Sequence, residues 1–282
     1  MIELAGGREI AWCEFGARDG FVVVALHGSP GNRNNFAPVE AISHSTGVRL
    51  IAVDRPGYGH SSFDPDRTYA SFARDVEQLA EHLGIEQFGV VGWSSGGPNA
   101  AACAHYLNGR VTSVAVVSGP APPYAGIVDR DTPRAMRVMK HLELVAPRLM
   151  GTMFGIGLRR AAHDPERALA FMRRTMPACD VAVLERPEVH AAFLADLARA
   201  PSPTAGRAAT QDLVLEGRPW GFDLRALAVP AHVWHGTADR TVGFANGVFQ
   251  SQAIPDAVLH AVEDEGHWLL YNHFDEILHA LV

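Results

Sequence analysis

The sequence predicts an α/β protein, a mostly parallel sheet covered by helices on both faces and interrupted by one long helical insertion. Three observations carry this. Phe21–Leu26 is an uninterrupted apolar run of strand length, the pattern of a strand buried on both faces. Strand-like and helix-like segments alternate before residue 118 and again after residue 230. Between them, residues 120–220 read as helices with no convincing strand, broken by Pro147, Pro165, Pro177, Pro187 and Pro201.

Taken in order, residues 9–15 read as a strand ahead of Phe21–Leu26, and Val48–Val53 as another. Over 68–83, Phe72, Val76, Leu79 and Leu83 recur at steps of four, three and four, and Gly84 stops the pattern; this is an amphipathic helix. A short strand at 88–91 enters Gly92-Trp93-Ser94-Ser95-Gly96-Gly97, and a helix follows at 98–106, where Ala100, Ala101 and Ala104 permit close packing. A strand at 111–118 precedes the helical stretch. Alternation resumes with strands at 231–234 and 258–262, separated by 242–253, and a closing helix over 272–281. Residues 198–209 are loop-prone. The predicted division is a core of 1–119 and 226–282 around a helical cap at 120–225.

Composition narrows the function classes. The 282 residues are 48% hydrophobic and 20% charged, with mean hydropathy of +0.01, which provides material for a core and is unlike a disordered polymer. The formal charge is −7, and Lys140 is the sole lysine among 24 cations, so no Lys-rich tail or basic stripe points to nucleic acid. Cys13, Cys103 and Cys179 are odd in number and far apart, which argues for reduced packing thiols over a disulfide framework or zinc site. Glu3, Arg8, Glu9 and Glu14 deny the N-terminus the apolar core of a signal peptide, and no run reaches the ~18 apolar residues of a bilayer span. The expectation is a cytoplasmic protein with no nucleic-acid, membrane or metal partner, acting on a small molecule in an oligomeric state left open.

Gly92-Trp93-Ser94-Ser95-Gly96 fits G-x-S-x-G between a strand and a helix, the context that gives this motif meaning. Small residues two positions either side let a sharp, strained turn project the Ser94 hydroxyl. Ser95 cannot occupy the same centre, because Trp93 would then flank it. A serine hydroxyl needs a base, and the base an orienting group. Asp239 follows the strand at 231–234 and His267 follows the one at 258–262; carboxyl ends of parallel strands share one sheet edge, so Ser94, Asp239 and His267 converge. Asp129 and Asp264 are the rival acids. His27-Gly28-Ser29-Pro30-Gly31 directly follows Phe21–Leu26, and the backbone N–H groups of Ser29 and Ser95 are the candidate oxyanion donors. Pro30 has no N–H to offer. His27 and Gly28 shape this loop, and proton transfer is not assigned to His27.

With those residues in view, the chain resembles the serine-type α/β-hydrolase superfamily with a helical cap. The likeness runs from Gly7 to the last helix through His27 to Gly31, Asp54-Arg55-Pro56-Gly57-Tyr58-Gly59-His60-Ser61, Gly92 to Gly97, Trp234 to Arg240 and Gly266-His267. The resemblance implies an α/β-hydrolase fold with a mostly parallel eight-stranded sheet, a Ser-His-Asp triad carried onto Ser94, His267 and Asp239, and no cofactor. Members that open epoxides or haloalkanes have Asp where this chain has Ser94, which disfavours those reactions. Some members take their acid after the sixth strand, where Ser118-Gly119-Pro120 offers none before Asp129.

Residues 130–218 hold 14 Arg plus Lys against 10 Asp plus Glu, a net +4 that leaves −11 for the remainder. Every methionine but the first lies there: Met136, Met139, Met150, Met153, Met172 and Met176 either line an adaptable pocket or fill gaps between helices. The expected activity is a serine hydrolase cleaving an ester, thioester or lactone of a small, mainly apolar molecule through an acyl-Ser94 intermediate. The same triad serves an aminopeptidase, a carbon-carbon bond hydrolase, an acyltransferase or a cofactor-free peroxidase, and nothing places the acids an aminopeptidase needs, Glu185, Glu188 or Glu216, in a pocket. The reading from another class is a ligand-binding receptor-like protein that retains the fold.

Overall fold

In the computed structural model, which describes residues 1–127, 138, 142, 144–198 and 202–282, the apolar runs of the sequence become the middle of a seven-stranded sheet. The strands are β1 (Ile2–Glu3), β2 (Glu9–Ile10), β3 (Trp12–Gly16), β4 (Phe21–Leu26), β5 (Val48–Val53), β6 (Phe88–Trp93), β7 (Val111–Val117), β8 (Ala231–Gly236) and β9 (Val258–Val262). The sheet order is β3-β5-β4-β6-β7-β8-β9, with β3 antiparallel to β5 and every other pair parallel. Successive residues of each strand feed opposite faces. Val24, Leu26, Ile51, Val53 and Val90 enter one core with α2 (Tyr69–His82) and α3 (Gly96–Tyr106), while Val23, Ala25, Leu50, Ala52 and Val91 enter the other with α10 (Leu270–Leu281).

The resemblance implies eight strands in the sheet, and the difference lies at its start. Ile2–Glu3 and Glu9–Ile10 pair only with each other. The backbone of residues 9–11 spends its hydrogen bonds on the turn after β5: Glu9 O accepts from Ser62 N (2.9 Å), Ala11 N donates to Ser61 Oγ (3.0 Å) and Ala11 O accepts from Asp54 N (2.9 Å). The strand read at 9–15 therefore breaks at Ala11, and only Trp12–Gly16 joins the ladder.

Between β7 and β8 the described residues hold five α-helices, α4 (Pro147–His163), α5 (Pro165–Arg173), α6 (Ala178–Leu184), α7 (Pro187–Ala198) and α8 (Ala205–Glu216), and no strand. Residues 198–209, read as loop-prone, contain the first turn of α8, which takes its partners from the tertiary structure: a Cβ on Gly206 would collide with the Gly151 and Gly155 backbone, so α4 and α8 cross at near backbone contact. The remaining helices are α1 (Glu40–Ser45) after β4 and α9 (Ala245–Ala253) between β8 and β9. All three cysteines are free thiols, and burial pushes Cys103 up to about 12. Among the described residues no helix is long and apolar enough to cross a membrane, and no group of three His, Cys, Asp or Glu could hold a metal ion.

Candidate active site

β6, buried along its whole length, runs straight into Ser94, whose φ of 54° lies in the left-handed region that non-glycine residues avoid. That strain is held by neighbours on both sides. Ser94 N donates to Val117 O (2.9 Å) and Gly97 N donates to Ser94 O (2.8 Å). A Cβ on Gly92 would collide with Gly96 O, and one on Gly96 with Leu26 O, so the two glycines of the motif are what let the strand, the turn and α3 approach. Ser95 sits at the cap of α3, with its carbonyl accepting from Asn99 Nδ2 (2.8 Å).

The loop after β4 lies against this turn: a Cβ on Gly28 would stand 3.1 Å from Ser94 Cβ and 3.6 Å from its hydroxyl. His27 is fully buried, and its Nδ1–H donates to Gly28 O (2.7 Å) while Nε2 accepts from Arg55 N (3.1 Å). Burial first and the Arg55 charge second hold its pKa well below the usual imidazole value. Both nitrogens of this neutral ring are committed to backbone, which suits loop shaping.

Asp239 and His267 arrive from the ends of β8 and β9. Gly236 allows the approach, since a Cβ there would collide with Glu265 O, and Ala238 N donates to Glu265 O (2.9 Å). His267 Nδ1 lies 2.8 Å from Asp239 Oδ2, while Asp239 Oδ1 accepts from Thr241 N (2.8 Å) and Val242 N (2.9 Å). Burial pushes the Asp239 carboxyl up, but the charge of His267 and hydrogen bonds from His235 and His267 outweigh it and hold the group well below the carboxylate range. An ionised carboxylate only accepts, so the bond to Asp239 places a His267 proton on Nδ1. Trp93, next to Ser94 in sequence, donates its indole N–H to His267 O (2.9 Å) and lies 5.8 Å from its ring. Asp264 is exposed, and Asp129 lies outside the described residues.

A family model for the alpha/beta hydrolase fold matches residues 22–274. The chain belongs to the α/β-hydrolase fold family. Among curated proteins it is 35% identical over 79 residues to an sn-1-specific diacylglycerol lipase from Mus musculus, and that match spans 28% of this chain and 26% of the relative. It is 34% identical over 80 residues to a proline iminopeptidase from Lactobacillus helveticus (strain DPC 4571), 27% of each. Each match therefore spans about a quarter of the relative. Among solved structures, a thermophilic esterase from Thermogutta terrifontis superposes with a TM-score of 0.69 at 23% identity, covering 98% of this chain and 93% of the other. At that identity the likeness speaks for the fold.

Sequence reasoning missed the charged network that ties this α/β-hydrolase's insertion to its core. Asp212 of α8 is buried and accepts from Arg55 Nη1 (2.6 Å), from Arg67 and from the Tyr58 hydroxyl (2.6 Å). Burial alone would raise the Asp212 pKa; the two guanidinium groups outweigh that and hold it well below the usual range. Arg55 also donates to His27 O and Gly28 O, both at 2.9 Å, and the Tyr58 and Ser29 hydroxyls lie 2.7 Å apart. The loop bearing the candidate oxyanion donor is thus bonded to a helix of the insertion. Arg55 and Tyr58 lie within the Asp54 to Ser61 motif, which is a signal; Asp212 follows no motif.

A second missed carboxylate braces the histidine. Asp180 of α6 is buried and accepts from Trp268 N (2.9 Å), close against Gly266. Phe193 of α7 packs on Trp268 (4.4 Å) and Trp93 (6.4 Å), so the surroundings of His267 are aromatic. A cleft of about 270 Å³ opens beside the β4 loop, between Asn32, Tyr58 and His60 of the core and Leu158, Asp196 and Leu197 of the insertion; Ser94 is not on its wall. The methionines do not behave as one set. Met150 is buried, Met172 and Met176 pack against the core, Met153 is exposed, and Met136 and Met139 lie outside the described residues. Glu185 and Glu188 are exposed.

Proposed function

We propose that this α/β-hydrolase is a serine hydrolase acting on a carboxylic ester, thioester or lactone of a small, mainly apolar molecule. The observation that supports it best is the 2.8 Å pair of His267 Nδ1 and Asp239 Oδ2, set behind the strained Ser94 turn. On this reading Ser94 Oγ attacks the carbonyl carbon as its proton passes to His267 Nε2. The resulting oxyanion takes hydrogen bonds from the N–H groups of Ser29 and Ser95. Collapse breaks the bond to the leaving group, which takes the proton back from His267, and acyl-Ser94 remains. Water then repeats the sequence and releases the acid. Asp239 stays ionised throughout and stabilises the imidazolium. The aromatic surroundings made by Trp93, Phe193 and Trp268 favour an apolar acyl group.

A fluorophosphonate probe tests the assignment. Mass spectrometry should find one adduct, on Ser94, and Ser94→Ala should fold normally, take no label and lose nearly all ester turnover. An adduct on Ser95, or unlabelled protein that still hydrolyses esters, would overturn it. A protein that binds esters without turnover or labelling would belong to the receptor-like class.

A further inference from the structure

Helix α4 has an apolar face on its outside. At 100° per residue, Leu149, Met153 and Ile156 fall within about 60° of one another. All three are exposed, at 61, 56 and 40%. Gly151, on the opposite side, is buried where the helix crosses α8, and Met150 is buried between the two faces. A surface helix ordinarily turns charged residues outward once one face is packed. This one turns three large apolar residues outward as well. Of the thirteen large hydrophobic residues exposed among those described, eight lie between residues 138 and 171, with Leu142 and Val145 directly ahead of α4 and Phe171 behind it.

Charge says what the face is for. α4 contains Arg148, Arg159 and Arg160 and no acidic residue. Arg160 continues the line of Leu149, Met153 and Ile156, and Arg148 and Arg159 flank it on one side. A second copy seated face to face by a two-fold axis would set these arginines against their own equivalents, like charge on like. An anionic surface meets no such repulsion. The charge of the chain is also segregated, net +4 over residues 130–218 and −11 over the rest, which turns the insertion toward a negative surface and the core away from it. An exposed apolar stripe flanked by arginines is the pattern of a helix lying in the plane of a lipid interface. We infer that the outer face of α4 docks on an anionic phospholipid surface, Leu149, Met153 and Ile156 entering the acyl boundary and Arg148, Arg159 and Arg160 reaching the headgroups. This is a peripheral contact, and it departs from the sequence-based expectation of no membrane partner.

Flotation of the full chain with vesicles tests the inference. Ether-linked lipids, equal parts phosphatidylglycerol and phosphatidylcholine against phosphatidylcholine alone, carry no acyl ester, so the result does not depend on the chemistry proposed for Ser94. The wild type should float with the anionic vesicles, less so in added salt. Leu149→Gln with Ile156→Gln should weaken binding by about tenfold or more, and Arg159→Gln or Arg160→Gln by about fivefold each on the anionic vesicles alone. Circular dichroism and soluble-ester turnover should match the wild type in each variant. A wild type that stays with the buffer overturns the inference. So does binding that the Leu149 and Ile156 changes leave intact, or a dimer in sedimentation that those changes dissolve.

Discussion

Replacing Asp212 should be among the most damaging single changes in the molecule, although it is far in sequence from every residue of the proposed chemistry. Its carboxylate is the shared partner of two buried guanidinium groups and a buried phenol. Removing one member of a buried ion pair costs about 3–5 kcal/mol, because the remaining charge stays desolvated. Here the residual charge is double. Arg55 keeps its bonds to His27 O and Gly28 O, whereas Arg67 keeps only a long one, 3.5 Å to Pro56 O. Asp212→Asn, which retains one acceptor, should therefore cost about 3 kcal/mol, and Asp212→Ala about 5 kcal/mol. At roughly 2 °C per kcal/mol for a chain of this size, the melting temperature should fall by about 6 and 10 °C. Tyr58→Phe, which loses only the hydroxyl between Asp212 and Ser29, should cost about 1–2 kcal/mol. Urea unfolding followed by tryptophan fluorescence and circular dichroism measures all three. A loss under about 1 kcal/mol for Asp212→Ala would mean that water reaches Arg55 and Arg67, and the account of a dry, load-sharing network would be wrong.

Asp239→Asn should lower kcat by about four orders of magnitude with the fold intact, since an amide holds the wrong imidazole tautomer; if ester turnover survives that change, another acid orients His267. Stability should decline from pH 7 toward pH 5. The folded state holds His27 below its ordinary pKa, as burial does for His232 and His260, so below about 6.5 the unfolded chain binds more protons and stability is lost as pH falls. A flat urea midpoint across that range would refute it, and His27→Gln should flatten part of the slope. For the substrate, kcat/KM over a series of ester chain lengths should rise about fourfold per methylene until the pocket is full; no dependence on length with a steep dependence on salt would instead point to an anionic substrate.

What was legible in the sequence follows from which interactions are local. Phe21–Leu26 and Val48–Val53 read directly as strands because each is apolar on both faces, and the turn at Ser94 was readable because its glycines and its flanking elements lie within a few residues. The Asp239–His267 pair rested on one topological rule, that parallel strands end on the same edge. Helix α8 was hidden by Pro203, Thr204 and Gly206, whose local preferences are overruled by the crossing with α4. Asp212 and Asp180 could not be found at all. Each is an acid on a helix, indistinguishable by spacing from a solvated residue until the guanidinium groups or backbone N–H groups it meets are known. The separate ribbon of β1 and β2 was likewise invisible, since its competitors, Ser61 and Ser62, come from a turn far along the chain.

β7 and β8 pair in parallel, Val114 opposite Ala231 and Val117 opposite Trp234, so the helical insertion is one crossover between two adjacent strands. The helices between them can lengthen or shorten without disturbing a rung of the ladder so long as Asp180 and Asp212 keep their partners in the core, which on the chemistry proposed leaves selectivity open to evolutionary revision. The same chain order has a consequence during synthesis. The turn at Ser94 leaves the ribosome well before β8 and β9 exist, and Asp239 and His267 come with those last strands. On the chemistry proposed, a nascent or shortened chain that stops before β9 holds a serine with no base, and hydrolytic power is switched on only once β8, β9 and the residues that follow them have been made.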